Sequence, residues 1–321
     1  MQRRTPSVYG PIRLISGSGC PDLAQEVGEY LGVRLTGRDV IKFSNENIFV
    51  RIHSSMRGAD VYLIQTMASP VNENLMELFI TLDALKRDSA ARITAVVPYL
   101  SYTRSDKKDQ PRVPITARLI AEMIQVAGAD RYVTVDLHAG QIQGFFSIPG
   151  DELTAIHTII DYLRQKTFED LVVVTADLGF AKTGRNYAAR LDGGLAFVEK
   201  RRPTSGGGPE ALTVIGDVRG KDVMIVDDEV NTAGSIAQAV QLVKSHGARD
   251  VYLSFTHPVL SGPAVDRLRS LPLKEIVTTN TLPIPSEKRL PNMTVLSVAP
   301  MLGEVILRAH EGRSVGALFN E

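Results

Sequence analysis

Short runs of β-branched and aliphatic residues recur along the chain, each followed by a longer amphipathic stretch, and this alternation constrains the fold more than any other feature. The runs are Ile12–Ser16, Asp60–Gln65, Ile93–Val97, Tyr132–Val135, Leu171–Thr175, Val223–Val226 and Val251–Phe255. They are apolar on both faces and read as buried parallel strands. Between them, helical periodicity covers Asp22–Leu31, Asn74–Arg87, Thr116–Ala127, Thr154–Gln165 and Ser235–Ser245. A series of βα units follows, and with it an α/β fold class. At 321 residues the chain is long enough for two domains. The turn-forming cluster Ile148-Pro-Gly-Asp151 predicts the boundary. Residues 1–150 form the first domain and 151–302 the second, with 303–321 packing back on the first.

Charge narrows the function classes. Lys plus Arg number 36 and Asp plus Glu also 36, so neither a nucleic-acid footprint nor a polybasic membrane anchor is expected. Any anionic ligand must be met by local charge. No apolar run approaches the ~20 residues of a membrane span. The first residues lack an apolar leader and Cys20 is the only cysteine, which makes the cytoplasm the expected location.

The two halves carry a faint repeat. Arg57-Gly-Ala-Asp-Val61, a strand, a helix and Ala91-Arg92 resemble Arg219-Gly-Lys-Asp-Val223, a strand, a helix and Ala248-Arg249. After the matching strands the first half offers Gln65-Thr66 and the second Asp227-Asp228, which assigns sugar chemistry to the second half.

Val223-Met-Ile-Val-Asp-Asp-Glu-Val-Asn-Thr-Ala-Gly-Ser235 is the most informative window. A buried strand runs into a turn and then a helix. Small residues at Thr232, Ala233, Gly234 and Ser235 let backbone N–H groups and two hydroxyls face a phosphate at the positive end of the helix dipole. Asp227 and Asp228 fall at the carboxyl end of a parallel strand, where open α/β sheets place ligands. There, paired carboxylates accept hydrogen bonds from ribose hydroxyls or bind Mg²⁺ through water; the bland alternative is that they only cap the turn.

This window resembles the phosphoribosyl-binding loop shared by type I phosphoribosyltransferases and ribose-phosphate pyrophosphokinases. The second family is the closer resemblance, on Phe43-Ser-Asn-Glu46, Asn72–Glu77, Tyr102-Thr-Arg-Ser-Asp-Lys-Lys-Asp109, Val135-Asp-Leu-His138 through Phe146, Ser261-Gly-Pro-Ala264 and Thr279-Asn-Thr281. It implies two open α/β domains of the type I phosphoribosyltransferase kind, and transfer of the diphosphoryl group of ATP to the C1 hydroxyl of ribose 5-phosphate. It assigns ATP to Phe43, Asn45, Asn47, Arg104, Ser105 and Asp109, and ribose 5-phosphate to Asp227, Asp228, Asn231, Thr232, Ala233, Gly234 and Ser235. His138 and Asp177 hold the Mg²⁺ of Mg-ATP at a cleft between the domains, and Lys200 and Arg202 act on the reacting phosphates. The cation-rich, glycine-rich stretch Glu199–Pro209 then reads as a mobile cationic loop. The Phe43 segment reaches a neighbouring subunit's ATP, implying a homo-oligomer with shared sites. Ser55, Arg57, Arg112, Gln143 and Ser314 form a regulatory phosphate or nucleotide site; otherwise they are ordinary surface groups. On the bland alternatives Phe43 is a core aromatic and the cluster from Arg104 to Asp109 a solvated loop. His257 is expected to be structural.

The chain departs from the family pattern at Asn45, Asn47, Ser105, Phe180 and Asn231, where Asp, Glu, Gln, Gly and Asp are usual. An amide carbonyl is a weaker acceptor than a carboxylate. These departures motivate a rival reading, a catalytically silent regulatory paralogue that binds an active subunit. A phosphoribosyltransferase is a further alternative.

Overall fold

The computed structural model describes residues 9–176, 178–201 and 211–318, and the chain divides into two compact units. Unit one comprises residues 1–154, 281–283 and 297–321, and unit two residues 155–280 and 284–296.

In chain order the first unit contains β1 (Ile12–Ser16), α1 (Pro21–Leu31), β2 (Arg38–Lys42), β3 (Ile48–Ile52), β4 (Asp60–Ile64), α2 (Val71–Arg87), β5 (Arg92–Val97), α3 (Thr116–Ala127), β6 (Arg131–Val135) and β7 (Gly150–Leu153). The sheet order is β1-β4-β5-β6-β7, parallel throughout, with β2 and β3 as a separate antiparallel hairpin. Every residue of β4 and β5 is buried, as a parallel sheet covered on both faces requires. Leu75, Leu78, Leu82 and Leu85 of α2 and Ile120 and Ile124 of α3 pack on Val61, Leu63, Ile93 and Ala95.

The second unit contains α4 (Ile156–Leu163), β8 (Val172–Thr175), α5 (Ala181–Arg190), β9 (Gly194–Arg201), β10 (Ala211–Ile215), β11 (Val223–Glu229), α6 (Gly234–Ser245), β12 (Val251–His257), α7 (Ala264–Ser270), β13 (Glu275–Thr279) and β14 (Met293–Leu296). Its sheet runs β10-β9-β8-β11-β12-β13-β14, and only the edge strand β10 is antiparallel. Helix α8 (Ala299–Glu311) belongs to unit one, where it packs on α1 and its Ile306 carbonyl lies 3.3 Å from the Tyr62 hydroxyl oxygen. The α/β class with mainly parallel sheets stands as expected.

The division points differ from the expected 150 and 302. Residues 150–153 are the fifth strand of the first sheet, paired with β6 from Tyr132↔Gly150 to Val135↔Leu153, so a cut at 150 would strip that edge. A cut at 302 falls inside α8, whose Leu302, Val305 and Ile306 are buried.

The sequence repeat has a structural counterpart. Gly58 and Gly220 both take the left-handed backbone, at φ +70° and +71°, and turn the chain into β4 and β11. Asp60 at the start of β4 is bonded by Arg92 Nε at 2.7 Å, and Asp222, just before β11, by Arg249 Nε at 3.0 Å. In each unit the Asp of one Arg-Gly-X-Asp turn is thus tied to the Arg at, or two residues before, the start of the next parallel strand.

Candidate phosphoribosyl and nucleotide site

The phosphate-type loop lies in unit two. Strand β11 extends through Asp227, Asp228 and Glu229, so the acids belong to the strand end itself rather than to the turn after it. Pairing with β12 carries them there, with Asp227 beside Phe255 and Glu229 beside His257. Alternation turns the neighbours to opposite faces. Asp227 is half-buried, Asp228 is 8% exposed, and the Asp228 N–H donates to Asp227 Oδ1 at 3.0 Å. Glu229 and His257 are both buried, in keeping with a structural His257.

Ala233 then adopts φ +58° and α6 begins at Gly234 with no side-chain cap. The first N–H groups of a helix have no intrahelical partner, so the start of α6 presents donors at the positive end of its dipole. Thr232 and Ser235 are exposed and Gly234 half-buried on this rim. Asn231 braces the loop against the segment after β12, since its side-chain oxygen accepts the Ser261 hydroxyl hydrogen and its carbonyl accepts the Ser261 N–H at 2.9 Å. An amide oxygen meets that demand as a carboxylate would, so the bracing contact survives this departure. Arg267, a residue that sequence reasoning passed over, donates from Nη1 to the Thr232 carbonyl at 2.8 Å and brings a cation to the loop. Its only signal was its place three residues after Ala264.

The nucleotide candidates lie in unit one. Phe43, Asn45 and Asn47 occupy the turn of the β2–β3 hairpin, closed by Phe43 N–H to the Asn47 carbonyl at 2.9 Å. Phe43 is 50% exposed, which removes the core-aromatic alternative. It lies 6.3 Å from the Phe49 ring, itself exposed. Asn45 Oδ1 accepts the Asn47 N–H at 3.2 Å, so this carboxamide braces the turn.

Arg104 and Asp109 are exposed. Ser105 is occupied: its Oγ accepts the Thr116 N–H at 3.3 Å and its carbonyl the Ala117 N–H at 3.1 Å, satisfying orphan donors where α3 starts. Asp106 is buried and accepts from Gln141 Nε2 at 2.6 Å. His138 is exposed, following β6 on a segment whose Asp136 takes φ +38°. The Leu137 N–H donates to Glu152 Oε1 at 2.9 Å, and Gln143 Nε2 donates to Glu152 Oε2. Burial raises the Glu152 carboxyl above its usual value; the Leu137 N–H pulls it back, the Asp136 charge adds to the rise, and the Gln143 amide opposes it.

Asp177, Arg202 and the side chain of Lys200 lie outside the described residues. One expectation is corrected: residues 199–201 are not loop but the end of β9, paired with 211–213 of β10. Backbone pairing at a sheet edge claims them. Phe180 is the residue before α5. Of the regulatory candidates, Ser55 Oγ lies 3.5 Å from Asp88 Oδ1 and accepts the Arg57 N–H at 3.3 Å. Arg57 and Arg112 are exposed, Gln143 is committed to Glu152, and the Ser314 carbonyl accepts from Arg308 at 2.9 Å. Local partners thus account for three of these polar groups.

Among the described residues no group of three or more His, Cys, Asp or Glu side chains is arranged to hold a metal ion, and no helix is long and apolar enough to cross a membrane. His138 offers one exposed imidazole after β6, and a hard cation such as Mg²⁺ needs few protein ligands because it keeps waters and takes phosphate oxygens.

Residues 12–128 match the N-terminal domain of ribose phosphate pyrophosphokinase, and residues 201–320 match the phosphoribosyl synthetase-associated domain. A ribose-phosphate pyrophosphokinase of Caldanaerobacter subterraneus is 48% identical over 96% of this chain and 98% of its own length. One from Bacillus subtilis is 43% identical over 96% and 97%. The crystal structure of phosphoribosylpyrophosphate synthetase from Mycobacterium smegmatis superposes with a TM-score of 0.89 at 42% identity, covering 94% of this chain and all of that one. These matches cover both units, and they make the chain a member of the ribose-phosphate pyrophosphokinase family.

Proposed function

We propose that the protein transfers the diphosphoryl group of ATP to ribose 5-phosphate, giving phosphoribosyl pyrophosphate and AMP. The observation that carries this is the β11–α6 turn: paired carboxylates at a parallel strand's carboxyl end lead directly into an uncapped helix start. The α6 N–H groups and the Thr232 and Ser235 hydroxyls take the 5-phosphate. Asp227 and Asp228 accept hydrogen bonds from the ribose hydroxyls and orient the ring. Phe43 stacks on adenine, and Asn45 and Asn47 read its edge.

In the reaction the C1 hydroxyl oxygen attacks the β-phosphorus and gives up its proton to solvent, the bond from that phosphorus to the α,β-bridging oxygen breaks, and AMP leaves. Charge grows on phosphoryl oxygens, so Arg104, Lys200 and Arg202 serve by electrostatics and positioning, with Asp109 on the nucleotide. His138 and Asp177 would hold the Mg²⁺ of Mg-ATP, and that ion would supply charge neutralisation on the polyphosphate. A homo-oligomer whose copies share sites, a regulatory role for Ser55, Arg57, Arg112, Gln143 and Ser314, and a cytoplasmic setting are parts of the same proposal.

The test is AMP release from ATP, with and without ribose 5-phosphate. Strict dependence on the sugar is expected, and Asp227→Asn should weaken ribose 5-phosphate far more than ATP. Binding of both ligands without turnover, restored by Asn231→Asp, would instead establish the silent paralogue.

A further inference from the structure

The segment carrying His138 is held with unusual thoroughness for an exposed loop. Asp136 donates its N–H to the Leu153 carbonyl at 2.9 Å, and the Leu137 N–H goes to Glu152. Next comes a 3₁₀ turn, Gly140–Phe145, whose Ile142 is fully buried among apolar residues of α2, α3 and the sheet. Two glutamines on this turn reach in different directions. Gln143 donates to the second oxygen of Glu152, on β7, while Gln141 donates to Asp106. Asp106 is 7% exposed and sits inside the loop that presents Arg104 and Asp109. Phe146, just past the turn, stacks on Tyr132 of β6 with ring centres 3.8 Å apart.

A carboxylate that accepts at both oxygens from two points of one loop removes that loop's freedom to swing. A buried carboxylate reached by a single amide ties the next loop to the first. We infer that Glu152 and Asp106 are positioning residues: through Gln143 and Gln141 they clip the 140–145 turn between the His138 segment and the Arg104–Asp109 loop. The groups that meet the polyphosphate then keep one mutual geometry. This rests on the proposed roles of His138 and Arg104. Neither acid touches the ligand; both act through the turn. Outer partners that orient a ligating group typically cost 10- to 100-fold in affinity when removed.

The experiment uses the full-length protein with Glu152→Ala, Glu152→Gln, Asp106→Asn and Asp106→Ala. Mg-ATP binding is measured by calorimetry without sugar, and hydrogen exchange is followed at the Leu137 amide. For Glu152→Ala we expect roughly tenfold weaker Mg-ATP binding, fast exchange at Leu137, and an unchanged KM for ribose 5-phosphate. Glu152→Gln keeps an acceptor for the Leu137 N–H, so it should recover most of the affinity. Asp106→Asn can still accept from Gln141 and should stay near wild type, whereas Asp106→Ala should resemble Glu152→Ala. Equal losses for both substrates, or Mg-ATP binding unchanged in Glu152→Ala, overturn the inference. If the wild type releases no AMP, the proposed function fails, while the clip is still decided by the exchange and calorimetry.

Discussion

Replacing Arg92 with Met tests how the first unit's sheet is held at the amino ends of its strands. Asp60 has no exposure to solvent, and its carboxylate is gripped by Arg92 Nε at 2.7 Å and Nη2 at 2.6 Å, by the Tyr62 hydroxyl at 3.0 Å and by His310 Nδ1 at 2.8 Å. Arg92 also donates to the Ala309 carbonyl at 3.1 Å, so one guanidinium ties β4, β5 and α8 together. Burial alone would make the guanidinium easier to deprotonate, but its bonds to Asp60 prevail and hold it more basic than usual. Arg92→Met leaves a buried carboxylate with only a hydroxyl and an imidazole, at a cost of about 3–5 kcal/mol. The repeat in unit two supplies an internal control. Asp222 also loses its Arg in Arg249→Met, but it keeps the Glu169 N–H at 2.8 Å, and the Arg249 side chain is 36% open to water. The loss there must be smaller. Hydrogen exchange read by mass spectrometry separates the units: protection of β4 and β5 should fall roughly a hundredfold or more in Arg92→Met, with β11 and β12 untouched. Arg92→Lys keeps the charge without the two-pronged grip and should fall between. Equal losses for the Arg92 and Arg249 variants, or a loss below about 1 kcal/mol for Arg92→Met, would refute the burial argument.

Two further outcomes are expected. Burial pushes the Glu275 carboxyl up, but bonds from Lys166 at 2.7 Å, Tyr162 at 2.6 Å and Thr294 at 2.9 Å outweigh it and hold the group below its ordinary value of 4.5. A carboxyl lowered by folding adds stability above its unfolded pKa and loses it as pH falls through the folded one. The urea midpoint of unit two should therefore drop below about pH 4.5, and Glu275→Gln should flatten that limb. At the hairpin, Phe43→Ala should raise KM for ATP about 5- to 150-fold, at about 1–3 kcal/mol per stacked base, without changing thermal stability. An unaltered KM would move adenine elsewhere.

The parallel strands β1, β4, β5, β6, β8, β11 and β12 and the helices α1, α2, α3, α4 and α6 were legible because each buries an apolar run or face whose period survives in one dimension. The phosphate-type loop was legible for a related reason: strand, acids, small residues and helix are contiguous, so local order already implies the geometry. Strands β2, β3, β7, β9, β10, β13 and β14 were not read. β7 is Gly-Asp-Glu-Leu, which forms a strand only because β6 offers it a ladder. α5, with Lys, Thr, Gly, Arg and Asn in its first turns, lacks an apolar period as well.

Chain order alone therefore determined the α/β class, the paired units and the acid-to-helix turn, since each depends on neighbours in sequence. Only the tertiary structure decided that Ser105 caps α3, that Asn231 answers Ser261, and that Glu152 and Asp106 reach the turn after His138. Those contacts join residues 9 to 35 positions apart, and a side chain's partner at such a separation is set by how strands and helices pack.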